Sequence, residues 1–131
     1  MSLTVERSAA GADLVEPGAS AGAARWVRVC AVEDLEPAWG EVALVEGRQV
    51  AVFRLGGDEV LAVDHLDPHT GAPVMARGIV GSRGERPTVA SPLHKEVYDL
   101  GTGECLTDPS LALGTVPVRV VDGAVELAIV A

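Results

Sequence analysis

Three short runs of apolar and β-branched residues follow one another closely in the first half of the chain. They cover residues 41–45, 49–55 and 59–64, and glycine-containing turns separate them. Short runs joined by such turns are typical of antiparallel hairpins. No segment carries a long apolar period of 3.6 residues, which an amphipathic helix would need. The sequence therefore predicts an all-β fold.

A further hairpin is predicted near the carboxyl end. Residues 115–121 and 124–130 are rich in valine, and Asp122-Gly123 joins them. Asp-Gly between two apolar runs is a strong signal for a two-residue hairpin turn. Pro117 indicates an edge position or a strand entry, because proline has no N–H to donate. Additional strands are predicted at residues 26–30, 88–90 and 96–100.

The composition favours one folded domain preceded by a tail. The chain has 131 residues, 48% of them apolar, but only four are aromatic, so valine, leucine and alanine must fill the core. Residues 1–24 are rich in alanine, glycine and serine, which predicts a flexible tail. A short Ala-rich helix docked on a partner is the alternative for this segment. The folded domain is predicted to span residues 25–131.

Charge and hydropathy exclude several classes of function. The net charge is −9, whereas nucleic-acid binding requires lysine and arginine to neutralise phosphates. The charge favours solubility, or matching to a basic partner surface. No apolar run is long enough to span a membrane, and no secretory signal is recognisable, so a cytoplasmic protein is expected. Cys30 and Cys105 lack metal-ligand spacing, and we expect both to be buried free thiols.

Two proline-containing loops each carry a histidine. The first contains Asp67-x-His69 and the second contains Ser91-x-x-His94. This outline resembles a Rieske iron–sulfur domain, in which Cys-x-His and Cys-x-x-His hold a [2Fe–2S] cluster. Aspartate is a hard oxygen donor and a serine hydroxyl is rarely deprotonated, so neither replaces a thiolate. We expect no Rieske cluster in this chain.

The same residues allow two other interpretations. Asp67 and Ser91 can each accept backbone N–H groups and so keep the loops in shape. Alternatively, Asp67, His69 and His94 form a two-histidine, one-carboxylate set that suits non-haem Fe(II) or zinc. That set would make the chain a stand-alone Rieske-like metal protein. His65 matches no ligand position and is expected at the surface or at a strand end.

Several segments together resemble the small subunit of NAD(P)H-dependent nitrite reductase. They are Asp67-Pro68-His69-Thr70-Gly71-Ala72, Arg77-Gly78-Ile79-Val80-Gly81, Ser91-Pro92-Leu93-His94-Lys95 and Thr102-Gly103-Glu104-Cys105-Leu106. The resemblance covers about residues 25–130. One departure is His69, where the family often has an aromatic residue.

This resemblance implies a fold and a function. It implies a Rieske-like antiparallel sandwich or small barrel whose two loops form an exposed tip. The family's enzyme reduces nitrite to ammonium with electrons from NAD(P)H, and its large subunit carries sirohaem, a [4Fe–4S] cluster and FAD. The small subunit is expected to hold no cofactor and no catalytic residue. A Rieske ferredoxin serving an oxygenase is the remaining reading, and it fails without the two cysteines.

The tip is therefore the expected contact with the large subunit. Cluster-bearing relatives turn this tip toward their electron partner, which suggests the same use here. The residues expected to bind the large subunit are Pro68, His69, Pro92, Leu93, His94 and Lys95.

Overall fold

The computed structural model describes residues 2–5 and 24–130, and the structural statements below refer to these residues. Strands dominate this part of the chain, with two short 3-10 helices at Val32–Asp34 and Met75–Arg77, which confirms the all-β prediction. Neither helix has the length or the apolar character to cross a membrane. The strands are β1 Ser2–Val5, β2 Ala24–Ala31, β3 Gly40–Val45, β4 Arg48–Gly56, β5 Glu59–Asp64, β6 Ile79–Arg83, β7 Arg86–Ala90, β8 Val97–Asp99, β9 Thr115–Val116, β10 Val118–Val121 and β11 Ala124–Val130.

These strands form three sheets. The largest has the order β1-β3-β4-β5-β9, and the other two have the orders β10-β11-β2 and β6-β7-β8. Neighbouring strands run antiparallel except for β1, which lies parallel to β3. The candidate site residues lie in two loops, one that follows β5 and one that connects β7 to β8.

The five-stranded sheet is buried on both faces, as the alternation along β4 shows. Val50 and Val52 pack toward β2 and β11, whereas Ala51 and Phe53 pack toward β7, β8 and their loops. All four are fully buried. Successive strand residues point to opposite faces, so this uninterrupted apolar run serves two core clusters. Burying a side chain such as Phe53 contributes about 1.5–3 kcal/mol to folding. The core cluster that contains Ala51 and Phe53 therefore holds β7, β8 and their loops against the five-stranded sheet.

The predicted hairpin turns form as expected. Asp122 and Gly123 have φ angles of 50° and 78° and join β10 to β11. Glu46 and Gly47, with φ angles of 50° and 85°, join β3 to β4 in the same way. Positive φ at both central residues is typical of the two-residue turn whose twist matches that of the strands.

The predicted strand over residues 115–121 is divided at Pro117. Its first part, β9, pairs with β5 in the large sheet, whereas β10 pairs with β11 in another sheet. Pro117 cannot donate a ladder hydrogen bond, although its carbonyl accepts the N–H of Ala128 at 3.0 Å. The proline therefore marks the position where the chain changes sheets, and one continuous strand was the wrong expectation.

Most of the predicted tail, residues 6–23, lies outside the described residues, so its flexibility stays a prediction. At its start, however, Ser2–Val5 forms β1, a strand that the sequence does not predict. Val42 to Val45 of β3 supply the paired backbone. An unpaired strand edge is a ready template for another strand, which explains this pairing.

Candidate functional site

Loop A, residues 66–73, follows β5 and is closed by its own backbone. A bridge pairs Leu66 with Pro73 at its base. The Asp67 N–H donates to the Ala72 carbonyl at 2.8 Å, and the Gly71 N–H donates to the Asp67 carbonyl at 2.6 Å. Gly71 has φ of 78°, a conformation that glycine adopts at little cost. The loop is thus a defined turn rather than an open connection.

Loop B, residues 91–96, connects β7 to β8. The Ser91 N–H donates to the Glu96 carbonyl at 2.8 Å, and the Lys95 N–H donates to the Ser91 carbonyl at 3.0 Å. Lys95 has φ of 60°, which is uncommon for a residue other than glycine. The loop reverses sharply here and carries Pro92, Leu93 and His94 outward, all of them exposed.

A buried hydrogen bond joins the two loops. Ser91 Oγ donates to Asp67 Oδ2 at 2.5 Å, and both residues are at most 1% exposed. The second carboxylate oxygen accepts the N–H of His69 at 2.7 Å, and Ser91 Oγ accepts that of Leu93 at 3.3 Å. The local backbone bonds are those expected from the sequence. The direct bond between the loops was not foreseen, and it compensates a carboxylate that would otherwise be costly to bury.

The two histidines lie together on the outer side of this bond. The ring centroids of His69 and His94 are 4.2 Å apart, with 39° between the ring planes. His69 Nδ1 lies 4.0 Å from a carboxylate oxygen of Glu96. Loops A and B therefore meet in one structure, and we call residues 67–70 and 92–95 together the tip.

The residues present do not fit a [2Fe–2S] cluster. Such a cluster needs two thiolates on one iron. Asp67 and Ser91 offer oxygen atoms instead, and these are hydrogen-bonded to each other. Within residues 2–5 and 24–130, no group of three or more His, Cys, Asp or Glu side chains could hold a metal ion. Both carboxylate oxygens of Asp67 already accept a hydrogen bond, one from the His69 N–H and one from the Ser91 hydroxyl.

His65 supports loop A from inside the protein. Its expected place at a strand end is confirmed, whereas a place at the surface was the wrong expectation. It follows β5 directly, but its side chain is only 6% exposed. Its Nδ1 accepts the N–H of Ala76 at 3.1 Å, and its carbonyl accepts those of Val74 and Met75 at 3.0 Å. Burial lowers the pKa of His65, and the charge of Arg77 adds to this effect. A neutral imidazole thus fixes the start of the second 3-10 helix.

Asp99 organises the turn after β8 in a similar way. Its Oδ1 accepts the N–H groups of Gly101 at 2.6 Å and Thr102 at 3.0 Å, and its Oδ2 accepts Nε–H of Arg86 at 2.6 Å. Burial favours the neutral acid, but these hydrogen bonds outweigh it and hold the pKa of Asp99 below its usual value. The carboxylate therefore locks β7 and β8 together beneath the tip.

Tyr98 and Cys105 are buried in the core beneath the two loops. Tyr98 is fully buried, and its backbone pairs with that of Cys105 in an antiparallel β-bridge. Burial raises the pKa of Tyr98 to about 12, and the neighbouring Cys105 and Asp67 add to the rise. Cys105 and Cys30 are both buried free thiols, as expected from the sequence. No structural role was predicted for Tyr98. The sequence has only four aromatic residues, and this scarcity could have indicated that Tyr98 belongs to the core.

Comparison with known proteins agrees with this architecture. The model of the family described as a Rieske-like [2Fe-2S] domain matches residues 25–128. A nitrite reductase (NADH) small subunit of Salmonella typhimurium is 36% identical over 104 residues, which are 79% of this chain and 96% of that protein. A crystal structure from Mycobacterium tuberculosis, of a protein assigned as an NADH-dependent nitrite reductase small subunit, gives a TM-score of 0.78 at 44% identity. It covers 82% of this chain and 97% of the other.

A third relative carries the same unit within a much longer chain. The nitrite reductase [NAD(P)H] large subunit of Klebsiella oxytoca is 36% identical over 100 residues, which are 76% of this chain but 10% of that protein. The unit thus occurs both as a small subunit and as a segment of a large subunit. On these matches, together with the all-β fold and its two-loop tip, the chain belongs to the Rieske-like family of nitrite reductase small subunits.

Proposed function

We propose that this chain is the small subunit of an NAD(P)H-dependent nitrite reductase, which reduces nitrite to ammonium. It contributes contacts with the large subunit and no redox centre of its own. The hydrogen bond between Asp67 and Ser91 carries this proposal, because it stands where a Rieske domain needs two thiolates. The reaction is inferred from family membership. The lack of thiolate ligands at the tip is the reason for assigning this chain no redox step in that reaction.

The tip is the surface that docks on the large subunit. Pro68, His69, Pro92, Leu93, His94 and Lys95 are its contact residues. Leu93 is 48% exposed and gives the tip an apolar anchor. The buried bond between the loops and their internal backbone bonds support this role, since a preformed surface loses little conformational entropy on binding.

The large subunit carries the redox chemistry. We assign sirohaem, a [4Fe–4S] cluster and FAD to that subunit, which receives electrons from NAD(P)H. The Klebsiella oxytoca relative supports a close association, because there one chain contains both parts. We expect the complex to be cytoplasmic.

Substitutions in the tip test this proposal. Leu93→Ala, His94→Ala and Lys95→Ala are each expected to weaken binding to the purified large subunit, and the triple variant should weaken it most. Val121→Ala is the matched control, because Val121 is 41% exposed on β10, which belongs to a different sheet from β7 and β8. Equal affinity of the triple variant and the control would rule out the tip as the docking surface.

A further inference from the structure

The two most exposed large apolar side chains of the described residues lie beside one cleft. Ile79 is 73% exposed and Trp39 is 62% exposed. The cleft has a volume of about 470 Å³, and Trp39, Arg77 and Gly78 line it. Ile79 follows Gly78 directly. Exposed apolar groups gathered around a concave surface are typical of an interaction site.

The backbone around this cleft is fixed by close contacts. A Cβ atom on Gly40 would lie 2.2 Å from the Ala76 carbonyl oxygen, and one on Gly78 would lie 2.5 Å from that of Ala90. Ala38 has φ of 63°, and its N–H donates to the Arg54 carbonyl at 2.7 Å. The segment that carries Trp39 is therefore held against the second 3-10 helix. The cleft is preformed, which favours binding.

Arg77 gives the cleft a positive charge that no described carboxylate neutralises. Some arginines of this acidic chain are, by contrast, paired with carboxylates: Arg48 with Asp64, Arg86 with Asp99, and Arg119 with Glu126. Arg77 is exposed, and its guanidinium has neither an ion pair nor a hydrogen bond among the described residues. A carboxylate on a partner would complement it.

The cleft reaches the end of loop A. Pro73 lines the cleft, and it pairs with Leu66 at the base of loop A. Leu66 is 44% exposed and Leu93 is 48% exposed. The cleft thus shares Pro73 with loop A, the loop that carries half of the tip.

We propose that this cleft is a second docking site for the nitrite reductase large subunit, an inference that rests on the proposed function. An apolar side chain of the large subunit packs between Trp39 and Ile79, and a neighbouring carboxylate pairs with Arg77. Because the cleft shares Pro73 with loop A, which carries half of the proposed docking surface, the large subunit is the favoured occupant. A second copy of this chain is disfavoured, because two chains of net charge −9 repel each other.

The test measures the affinity of the full chain for the purified large subunit. Trp39→Ala and Ile79→Ala are each expected to weaken binding about 10-fold to 30-fold, as truncation of a central anchor does. Arg77→Glu is expected to weaken it to a similar degree, and the loss should shrink as salt is added. Val121→Ala and Arg28→Glu are matched controls on another sheet and should bind within about twofold of the unmodified chain. Thermal unfolding of each variant establishes that it is folded.

Three outcomes would overturn the inference, and the tip variants separate them. If Leu93→Ala weakens binding but the cleft variants match their controls, the cleft is not a docking site, while the proposed function stands. If the unmodified chain does not bind the large subunit, the proposed function itself fails. If the unmodified chain dimerises by sedimentation and Trp39→Ala abolishes the dimer, the occupant is a second copy.

Discussion

Ser91 donates a 2.5 Å hydrogen bond to the buried carboxylate of Asp67 and thereby ties loop B to loop A. Neither residue is more than 1% exposed, so water does not compete for this bond. The bond gives a physical reason why the tip keeps its shape without a metal cluster. It also leads to direct predictions about stability.

Removing the serine hydroxyl should destabilise the protein. Ser91→Ala leaves a buried carboxylate oxygen without its donor, and such a loss costs about 1–3 kcal/mol. We expect a decrease of this size in the free energy of unfolding, measured by urea denaturation. Ser110→Ala is a suitable control, because it removes a hydroxyl that also bonds an aspartate but at an exposed position. Equal stability of the two variants would contradict the role assigned to the buried bond.

Introducing cysteines at positions 67 and 91 should create a binding site for an iron–sulfur cluster. The rings of His69 and His94 are 4.2 Å apart on loops that already meet, so the variant with Asp67→Cys and Ser91→Cys supplies the missing half of the ligand set. After anaerobic reconstitution with iron and sulfide, we expect about two irons per chain and the visible spectrum of a [2Fe–2S] centre.

The unmodified chain, treated identically, is the control for that experiment and should retain no stoichiometric iron or zinc. Its metal content is read by elemental analysis. Iron bound by the unmodified chain through Asp67, His69 and His94 would instead favour the single-metal alternative.

His65 should make stability depend on pH. Its folded-state pKa lies below the ordinary value of 6.5, so the unfolded chain takes up the proton first as the pH falls. The contribution of His65 is therefore complete above about pH 6.5 and is lost as the pH falls through that value toward the folded-state pKa. Urea denaturation at pH 7.5 and 5.5 measures this loss.

An asparagine in place of His65 is the matched control. His65→Asn keeps an acceptor for the Ala76 N–H but does not titrate. Relative to the unmodified chain, this variant should lose less stability between the two pH values. The same loss in both proteins would exclude His65 as a source of the pH dependence.

Both cysteines should resist thiol reagents in the native state. Burial raises the pKa of Cys30 to about 11, and the thiolate is the reactive form. Cys30 and Cys105 are each only 4% exposed. A chromogenic disulfide reagent at pH 8 should label neither residue in the folded chain, but should label both after denaturation. Rapid labelling of the native protein would contradict the burial described for these side chains.

The strands could be predicted from the sequence where local signals and long-range packing agree. Asp122-Gly123 sets both the turn and the register of its hairpin, so β10 and β11 follow from the residues alone. Pro117 correctly indicated an interruption of the strand, but not that the chain changes sheets there. Its missing N–H ends a ladder, but which sheet each half joins depends on packing.

The site was predictable in its residue types but less so in its contacts. Asp67 and Ser91 were recognised as replacements for cysteines, yet their mutual bond depends on how two loops distant in sequence approach each other. The position of His65 at a strand end was predictable, but its burial was not, because a polar residue after a strand is expected to be exposed unless its backbone partners are known. The outward direction of Trp39 and Ile79 could not be read either, since apolar residues outside a clear period give no sign of which way they face.

Affinity capture tests the central claim most directly. The tagged full chain is used to purify its partner from native extract of the source cells, and the partner is identified by its mass and by its absorption spectrum. We predict recovery of a large nitrite reductase subunit with the absorbance of sirohaem and flavin, and a reduced yield with the variant carrying Leu93→Ala, His94→Ala and Lys95→Ala. Recovery of no such subunit by the unmodified chain, under conditions in which the large subunit is present and soluble in the extract, would contradict the proposed function.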